Sequence, residues 1–301
     1  MGYKIVGNAP ELRDLVPAKT RDMTAYYCFS SPETLARYAE SIPEAVRWND
    51  CAWNSDRSFR GTSNMREAAD MADKGWPDGV ERVTKLRDRI NAAHPTARSY
   101  ARYDVAGAIP NVQRYLAGNP ASMRRIDNAK ARRRPVLTLV VNAGANCGVA
   151  ANALTNRAAV CAAIIDSIEA AGYACHVVAT TAFACDSVIG HVMTTIKESH
   201  QPADIGRMAY GLGHVSYVRR LNFACVAGDK YCRALGGGLG SPADTPDKSL
   251  AENIYVLPSL NHIDGKFRDE ESAATVGLEH MLQVLRKQGC PAFPVDETDA
   301  A

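Results

Sequence analysis

Cysteine and histidine are the residues of this 301-residue chain best suited to covalent or metal chemistry, and it holds nine of the first and seven of the second. The cysteines stand at 28, 51, 147, 161, 175, 185, 225, 232 and 290, and no two form a C-x-x-C pair. Zinc sites use paired short spacings. The scatter, with Cys161 and Cys225 inside apolar runs, reads as buried free thiols in a reducing compartment. His176 and His191, near Cys175 and Cys185, could share a metal ion. Strand alternation, however, sends Cys175 and His176 to opposite faces, and packed histidines are the preferred reading. Ser216 and Ser259 lack a G-x-S-x-G setting and a nearby His–Asp pattern. No metal or cofactor is expected.

Two glycine-bearing stretches could approach a phosphate. Gly236–Ser241 runs into Pro242, Asp244 and Pro246, which reads as an exposed loop, not the strand-to-helix turn that a phosphate cradle requires. Asn142–Gly148 has the better position, between a strand and a helix, where ligands of open α/β sheets bind. It lacks the lysine of a P-loop and the full dinucleotide fingerprint.

Charge is unevenly spread. Residues 1–134 carry 23 Lys and Arg against 16 Asp and Glu, while residues 135–301 carry 12 against 17. The basic excess peaks at Arg124, Arg125, Lys130, Arg132, Arg133 and Arg134. Such density can engage nucleic-acid phosphate. The plainer reading is a solvated linker, because the stretch has no aromatic residue for base stacking. Arg219-Arg220 forms a weaker second patch on an expected helix.

The elements that position these residues fall into two parts: a mainly helical, basic region over 1–134 and an α/β domain over 135–301. In the first, Ser31-Pro32 opens a helix to about Ser41. Asn64-x-x-Glu67 and Asp78-x-x-Glu81 fit capping boxes, and Val80, Val83, Leu86 and Ile90 mark one buried helical face. Trp76, between Gly75 and Pro77, reads as a packing anchor.

In the second part, Val136–Val141 is a near-continuous apolar run that fits a strand covered on both faces. A helix follows over about 155–171, capped by Thr155 and ended by Gly172. Strands are expected at 173–181 and 188–196. Their connection is too short for a crossover, so they must pair antiparallel. Helices at 203–211 and 214–226, a strand at 254–260 and a helix at 270–288 complete a doubly wound, mostly parallel sheet. No apolar run reaches the ~18 residues of a membrane helix, and the N-terminus does not read as a targeting segment. A location in the cytoplasm is expected, with no membrane partner.

The order strand, helix, strand, antiparallel strand, helices, strand, helix over 135–290 resembles a von Willebrand factor A-type domain. Arg157-Ala158-Ala159 and Ala170-Ala171-Gly172-Tyr173 are similar to that family's phrasing. The family's D-x-S-x-S cation motif corresponds to Asn142-Ala143-Gly144-Ala145-Asn146, which has lost the carboxylate and both hydroxyls that hard cations favour. The family's later aspartate has an echo in Asp264. Phe59–Ser63, Gly75–Gly79, Tyr103–Gly107 and Val112–Pro120 resemble a domain of unknown function found in bacteriophage and prophage proteins, which implies a viral origin, a host-cell cytoplasmic or virion-associated setting, and no assigned activity.

These features support three readings. The leading one is a non-enzymatic, phage-encoded binding or assembly protein. Its protein partner, or a second copy of the chain, would meet the sheet's carboxyl edge at Asn142, Gly144, Asn146 and Asp264. The second is a nucleic-acid-associated protein using Arg124–Arg134. The third is a hydrolase or transferase acting at the 142–148 loop; a deep pocket there with converging titratable groups would favour it.

Overall fold

The computed structural model describes residues 3–15, 23–43, 57–94, 103–105, 109–110, 112–124, 134–185, 188–228, 252–261 and 265–294. In chain order, β1 (Tyr3–Gly7) leads through a 3-10 turn (Pro10–Leu15) to β2 (Met23–Phe29). Helices α1 (Pro32–Ser41), α2 (Arg57–Arg60), α3 (Met65–Lys74) and α4 (Pro77–Ala93) follow. A three-stranded sheet of β3 (Tyr103–Asp104), β4 (Ile109–Pro110) and β5 (Met123–Arg124) brackets α5 (Val112–Leu116). Then come β6 (Val136–Asn142), α6 (Ala151–Ala170), β7 (Ala174–Cys185), β8 (Val188–Lys197) and α7 (Ile205–Gly213). A π-helical segment (Tyr217–Asn222) runs into α8 (Phe223–Ala227). After β9 (Ile254–Leu257), α9 (Glu270–Ser272) passes through a second π segment (Ala273–Gly277) into α10 (Leu278–Lys287).

The main sheet has the order β1-β2-β8-β7-β6-β9. Every neighbouring pair is parallel except β7–β8, which is antiparallel as the short connection demands. The sheet is therefore two parallel blocks of opposite direction. The carboxyl ends of β6, β7 and β9 share one edge with the starting ends of β8, β2 and β1.

The N-terminal part is mainly helical, as expected, but it also supplies β1 and β2. Thr24-Ala25-Tyr26-Tyr27-Cys28-Phe29 is a buried run rich in residues that favour strands, and it lies between two parallel neighbours. Gly7 closes β1 at φ +107°; a Cβ there would stand 2.0 Å from the Cys28 carbonyl oxygen, so only glycine fits.

Alternation along the strands divides the core. Leu137, Leu139, Val141, Val177 and Tyr27 face the helical layer, packing with residues of α1, α3, α4, α6, α7 and α10. Val140, Val178, Tyr26, Cys28 and Met193 face the other way, toward Leu12 of the 3-10 turn. Among the described residues a 3-10 helix thus covers this side of the sheet and the α-helices cover the other.

Helix α6 begins at Ala151, four residues before the expected Thr155. It is apolar nearly all round, because it is buried among the sheet, α4 and α7. Thr155 instead lies inside it and donates to the Ala151 carbonyl at 3.2 Å. The cap of α3 is as expected at Asn64, whose Oδ1 accepts from the Glu67 amide at 2.8 Å; Glu67 reaches back one residue further, to the Ser63 amide. The box at Asp78 is absent: α4 starts at Pro77 with Trp76 as its cap.

Candidate functional site

The carboxyl edge of β6 and β7 opens into a narrow cleft whose inner room is about 20 Å³, enough for one water molecule. One wall is the loop after β6 with Gly144, Ala145 and Cys147; another is the end of β7 with Thr181 and Phe183. The segment from α7 through α8 supplies His214, Arg219 and Phe223, and α2 contributes Phe59 from the other half of the chain. Most of the lining is apolar. The exceptions that carry or could carry charge are Arg219, His214 and Cys147.

Arg219 is 7% exposed. Its Nη1 donates to the Phe59 carbonyl at 2.6 Å, and its guanidinium carbon lies 4.1 Å from the centre of the Phe59 ring. Its Nη2 is buried and has no hydrogen-bond partner. Burial pulls its pKa down, and the nearby Cys147 sulfur acts in the opposite sense; no carboxylate takes part. Lys197 shows the usual treatment of a buried cation: it is 3% exposed, pairs with Glu169 at 2.7 Å and donates to the Cys175 carbonyl at 2.9 Å. Arg219 has no such counter-charge.

The wall carrying Arg219 is a π-helical segment, a form that is rare and recurs at functional sites. Its wide turn changes the expected direction of two residues. Arg219 and Arg220 do not form a surface patch; both are buried. Arg220 donates from Nε to Thr62 Oγ1 at 2.8 Å and also to the Thr62 carbonyl.

Several bonds fix the cleft's shape. Fully buried Arg157 donates to the Asn142 carbonyl at 2.8 Å and to the Leu212 carbonyl at 3.3 Å, tying the end of β6 to α7. Burial draws its pKa down to about 10, so it stays cationic at neutral pH. Asn222 Nδ2 donates to Thr181 Oγ1 at 2.9 Å. His214 Nδ1 accepts from the Ser216 amide at 3.2 Å and lies 2.7 Å from Ser216 Oγ. Its ring stands edge-on to Trp76, with centroids 4.5 Å apart. Ser216 thus has a histidine beside it that sequence reading did not pair with it. Its Oγ is also 3.3 Å from the Tyr210 hydroxyl, and the residue is fully buried, so this group braces the wall.

The expected binding residues divide. Gly144 lines the cleft. Asn142 is buried, and its Oδ1 accepts from the Gly144 amide at 2.9 Å. Asn146 Oδ1 accepts from the Gly148 amide at 3.0 Å, while the Asn146 amide donates to the Leu260 carbonyl at 3.1 Å. Both asparagines therefore hold the loop's own backbone. Asp264 lies outside the described residues, as do Arg125, Lys130, Arg132 and Arg133 of the basic stretch, the side chain of Arg124 and the Gly236–Ser241 loop. Arg134 is exposed.

His176 and His191 do not converge. His191 pairs with Ala182 of β7, six residues from His176, or roughly 20 Å along the strand. Among the described residues no three His, Cys, Asp or Glu side chains gather to hold a metal ion, and no helix is long and apolar enough to cross a membrane. A second hollow, roomier at about 160 Å³, lies beyond the same loop beside Val149 and Lys266. Its Arg268 is a solvent-facing side chain paired with Asp269 at 3.3 Å. Arg219, the one buried cation on the first cleft's described wall, lies in a run, Leu212–Ala227, that also holds His214, Ser216, Arg220 and Asn222, so its local sequence does not single it out.

The chain belongs to a family described as a domain of unknown function (DUF7192), whose model matches residues 18–292. No curated protein and no solved structure matches it.

Proposed function

We propose that this chain is a binding protein whose cleft at the carboxyl edge of β6 and β7 takes a ligand that pairs one carboxylate with an apolar body. The observation that carries the reading is the buried Nη2 of Arg219, without a partner or a counter-charge on the cleft wall. A buried donor left unmade costs about 1–3 kcal/mol, and more for a charged group. An incoming anion recovers that cost and forms a charge-assisted hydrogen bond.

A carboxylate fits better than a phosphate. Phosphate sites gather several backbone amides or cations. Here the Gly144, Asn146, Gly148 and Val149 amides are already bonded within the loop and to Leu260. Arg219 is the one cation on the described wall and suits a single negative charge, and Phe59, Phe183 and Phe223 would offer apolar contact to the rest of the ligand once the walls part to admit it.

This reading keeps the binding role and the sheet edge of the leading sequence expectation and gives recognition to Arg219, which was not among the expected positions Asn142, Gly144, Asn146 and Asp264. The order β6, α6, β7, antiparallel β8, α7, β9 supports the A-type likeness. The Phe59–Ser63 and Gly75–Gly79 motifs support a phage-encoded protein; Phe59 and Trp76 from these motifs pack at or beside the cleft.

A thermal-shift panel tests the reading. Benzoate is expected to raise Tm by several degrees at saturation, through the linkage that gives ~2.7 kcal/mol at a hundredfold excess over Kd. Benzamide and inorganic phosphate are expected to leave Tm unchanged. A phosphate shift equal to that of benzoate, or no shift with benzoate, contradicts it.

A further inference from the structure

Six large apolar side chains are largely exposed among the described residues, and four of them, Val105, Val112, Tyr115 and Leu116, fall within twelve residues of sequence. Val112, Tyr115 and Leu116 stand at i, i+3 and i+4 of α5, so they share one face. Tyr115 is 71% exposed and Leu116 is 78% exposed. A closed helix end holds this face in place. The Gly118 amide donates to the Tyr115 carbonyl at 3.0 Å and the Asn119 amide to the Arg114 carbonyl at 2.9 Å, with Gly118 at φ +70°. Arg114 Nε donates to the Ala121 carbonyl at 3.2 Å, which ties α5 to the chain returning as β5. Grouped apolar exposure of this kind marks an interaction surface, whereas single exposed apolar residues do not.

The sequence around this face is strongly basic. Residues 95–134 carry nine Lys and Arg against two Asp and Glu, which accounts for the whole basic excess of residues 1–134. The basic run starts at Arg124, which β5 pairs with Tyr103 of β3 and Ile109 of β4, in the sheet that brackets α5. The run itself has no aromatic residue; the unit it leaves from presents one in Tyr115. A partner for this face needs dense negative charge and flat apolar surfaces. A single polynucleotide strand has both, because its base faces are open and its phosphates run beside them. A second copy of the chain fits less well: the five residues of α5 span about 7.5 Å, far short of the ~1,000 Å² that a stable protein interface buries. We propose that the α5 face binds a single-stranded polynucleotide, with bases packed on Tyr115, Val112 and Leu116 and the phosphates drawn by the positive charge of residues 95–134. The inference is independent of the cleft and its carboxylate.

The full chain is titrated into fluorescent oligothymidylate and oligouridylate of about 20 nucleotides, longer than one binding module covers, and anisotropy is followed. A DNA duplex and an abasic strand of the same length are run beside them. Both ordinary strands are expected to bind, and the tighter of the two identifies the natural strand as DNA or RNA. Affinity should fall at least about tenfold between roughly 50 and 200 mM salt, the response to neutralising about three phosphates of a single strand. Tyr115→Ala should weaken strand binding at least about fivefold, the effect of one lost base stack, and Tyr115→Phe should keep it. The duplex and the abasic strand should bind more weakly than oligothymidylate and show no effect of Tyr115→Ala. Tyr115 is exposed, so its variants keep the fold, and an unchanged urea midpoint checks this. No strand binding at low salt, or equal affinity in wild type and Tyr115→Ala, overturns the inference. So does a monomer–dimer equilibrium in sedimentation that Tyr115→Ala removes while strand affinity stays the same, since the face is then a protein interface.

Discussion

Arg219 stacks its guanidinium on the Phe59 ring, 4.1 Å from the centroid, while donating Nη1 to the Phe59 carbonyl at 2.6 Å. One residue from each half of the chain thus builds a single wall of the cleft. The contact uses one arm of the guanidinium, while Nη2 is buried without a hydrogen-bond partner.

The stack predicts a split between binding and stability. Phe59→Leu removes the aromatic face but keeps the backbone carbonyl that Nη1 uses. The loss expected is about 0.5–2 kcal/mol of cation–π energy, together with weaker benzoate binding. Urea unfolding and calorimetry measure the two. Full affinity in Phe59→Leu contradicts the role given to the ring.

Arg157→Ala is expected to destabilise the protein by about 3 kcal/mol. It strands the Asn142 and Leu212 carbonyls in the interior and opens a cavity where the side chain lay. Arg157→Lys should recover little, since one ammonium cannot reproduce the planar fork that spans both carbonyls. The midpoint of urea unfolding reads this; a change under ~0.5 kcal/mol contradicts it.

A substitution at Gly7 tests the β1–β2 edge. Gly7→Ala puts a methyl group against the Cys28 carbonyl and forces a positive φ on a residue that avoids it. A loss of about 2 kcal/mol or more is expected, from strain and displaced pairing. Wild-type stability in this variant contradicts the close approach.

Those three sites show how far the sequence reaches. The β7–β8 pairing was legible because the chain between the two strands is too short for any crossover. Apolar runs marked β6 and β9. β1 and β2 were passed over: Tyr3–Gly7 is short, and its register rests on a neighbour 21 residues away in sequence. The start of α6 was missed because Ala150 makes no side-chain cap, and packing fixes that end instead. The site was legible in place but not in chemistry. Asn142–Gly148 does border the cleft, yet nothing local in Arg219-Arg220 says that a π turn carries both guanidinium groups inward.

His176 makes stability sensitive to mild acid. Its burial disfavours the charged ring and lowers its pKa below the ordinary 6.5. The unfolded chain therefore binds the proton more readily, so stability is full above pH 6.5 and falls as pH drops toward the folded-state pKa. His176→Gln should flatten the urea midpoint between pH 7.5 and 5.5 relative to wild type. An equally steep fall in the variant contradicts this origin.

The most direct measurement is the calorimetric affinity of the full chain for benzoate and benzamide, in wild type and in Arg219→Met. Wild type is expected to prefer benzoate by about 10-fold to 100-fold, the effect of one charge-assisted hydrogen bond of ~1.5–3 kcal/mol, and Arg219→Met to bind the two alike. Equal binding of both ligands by wild type, or a benzoate preference that survives in Arg219→Met, contradicts the assignment of Arg219 as the group that recognises the ligand.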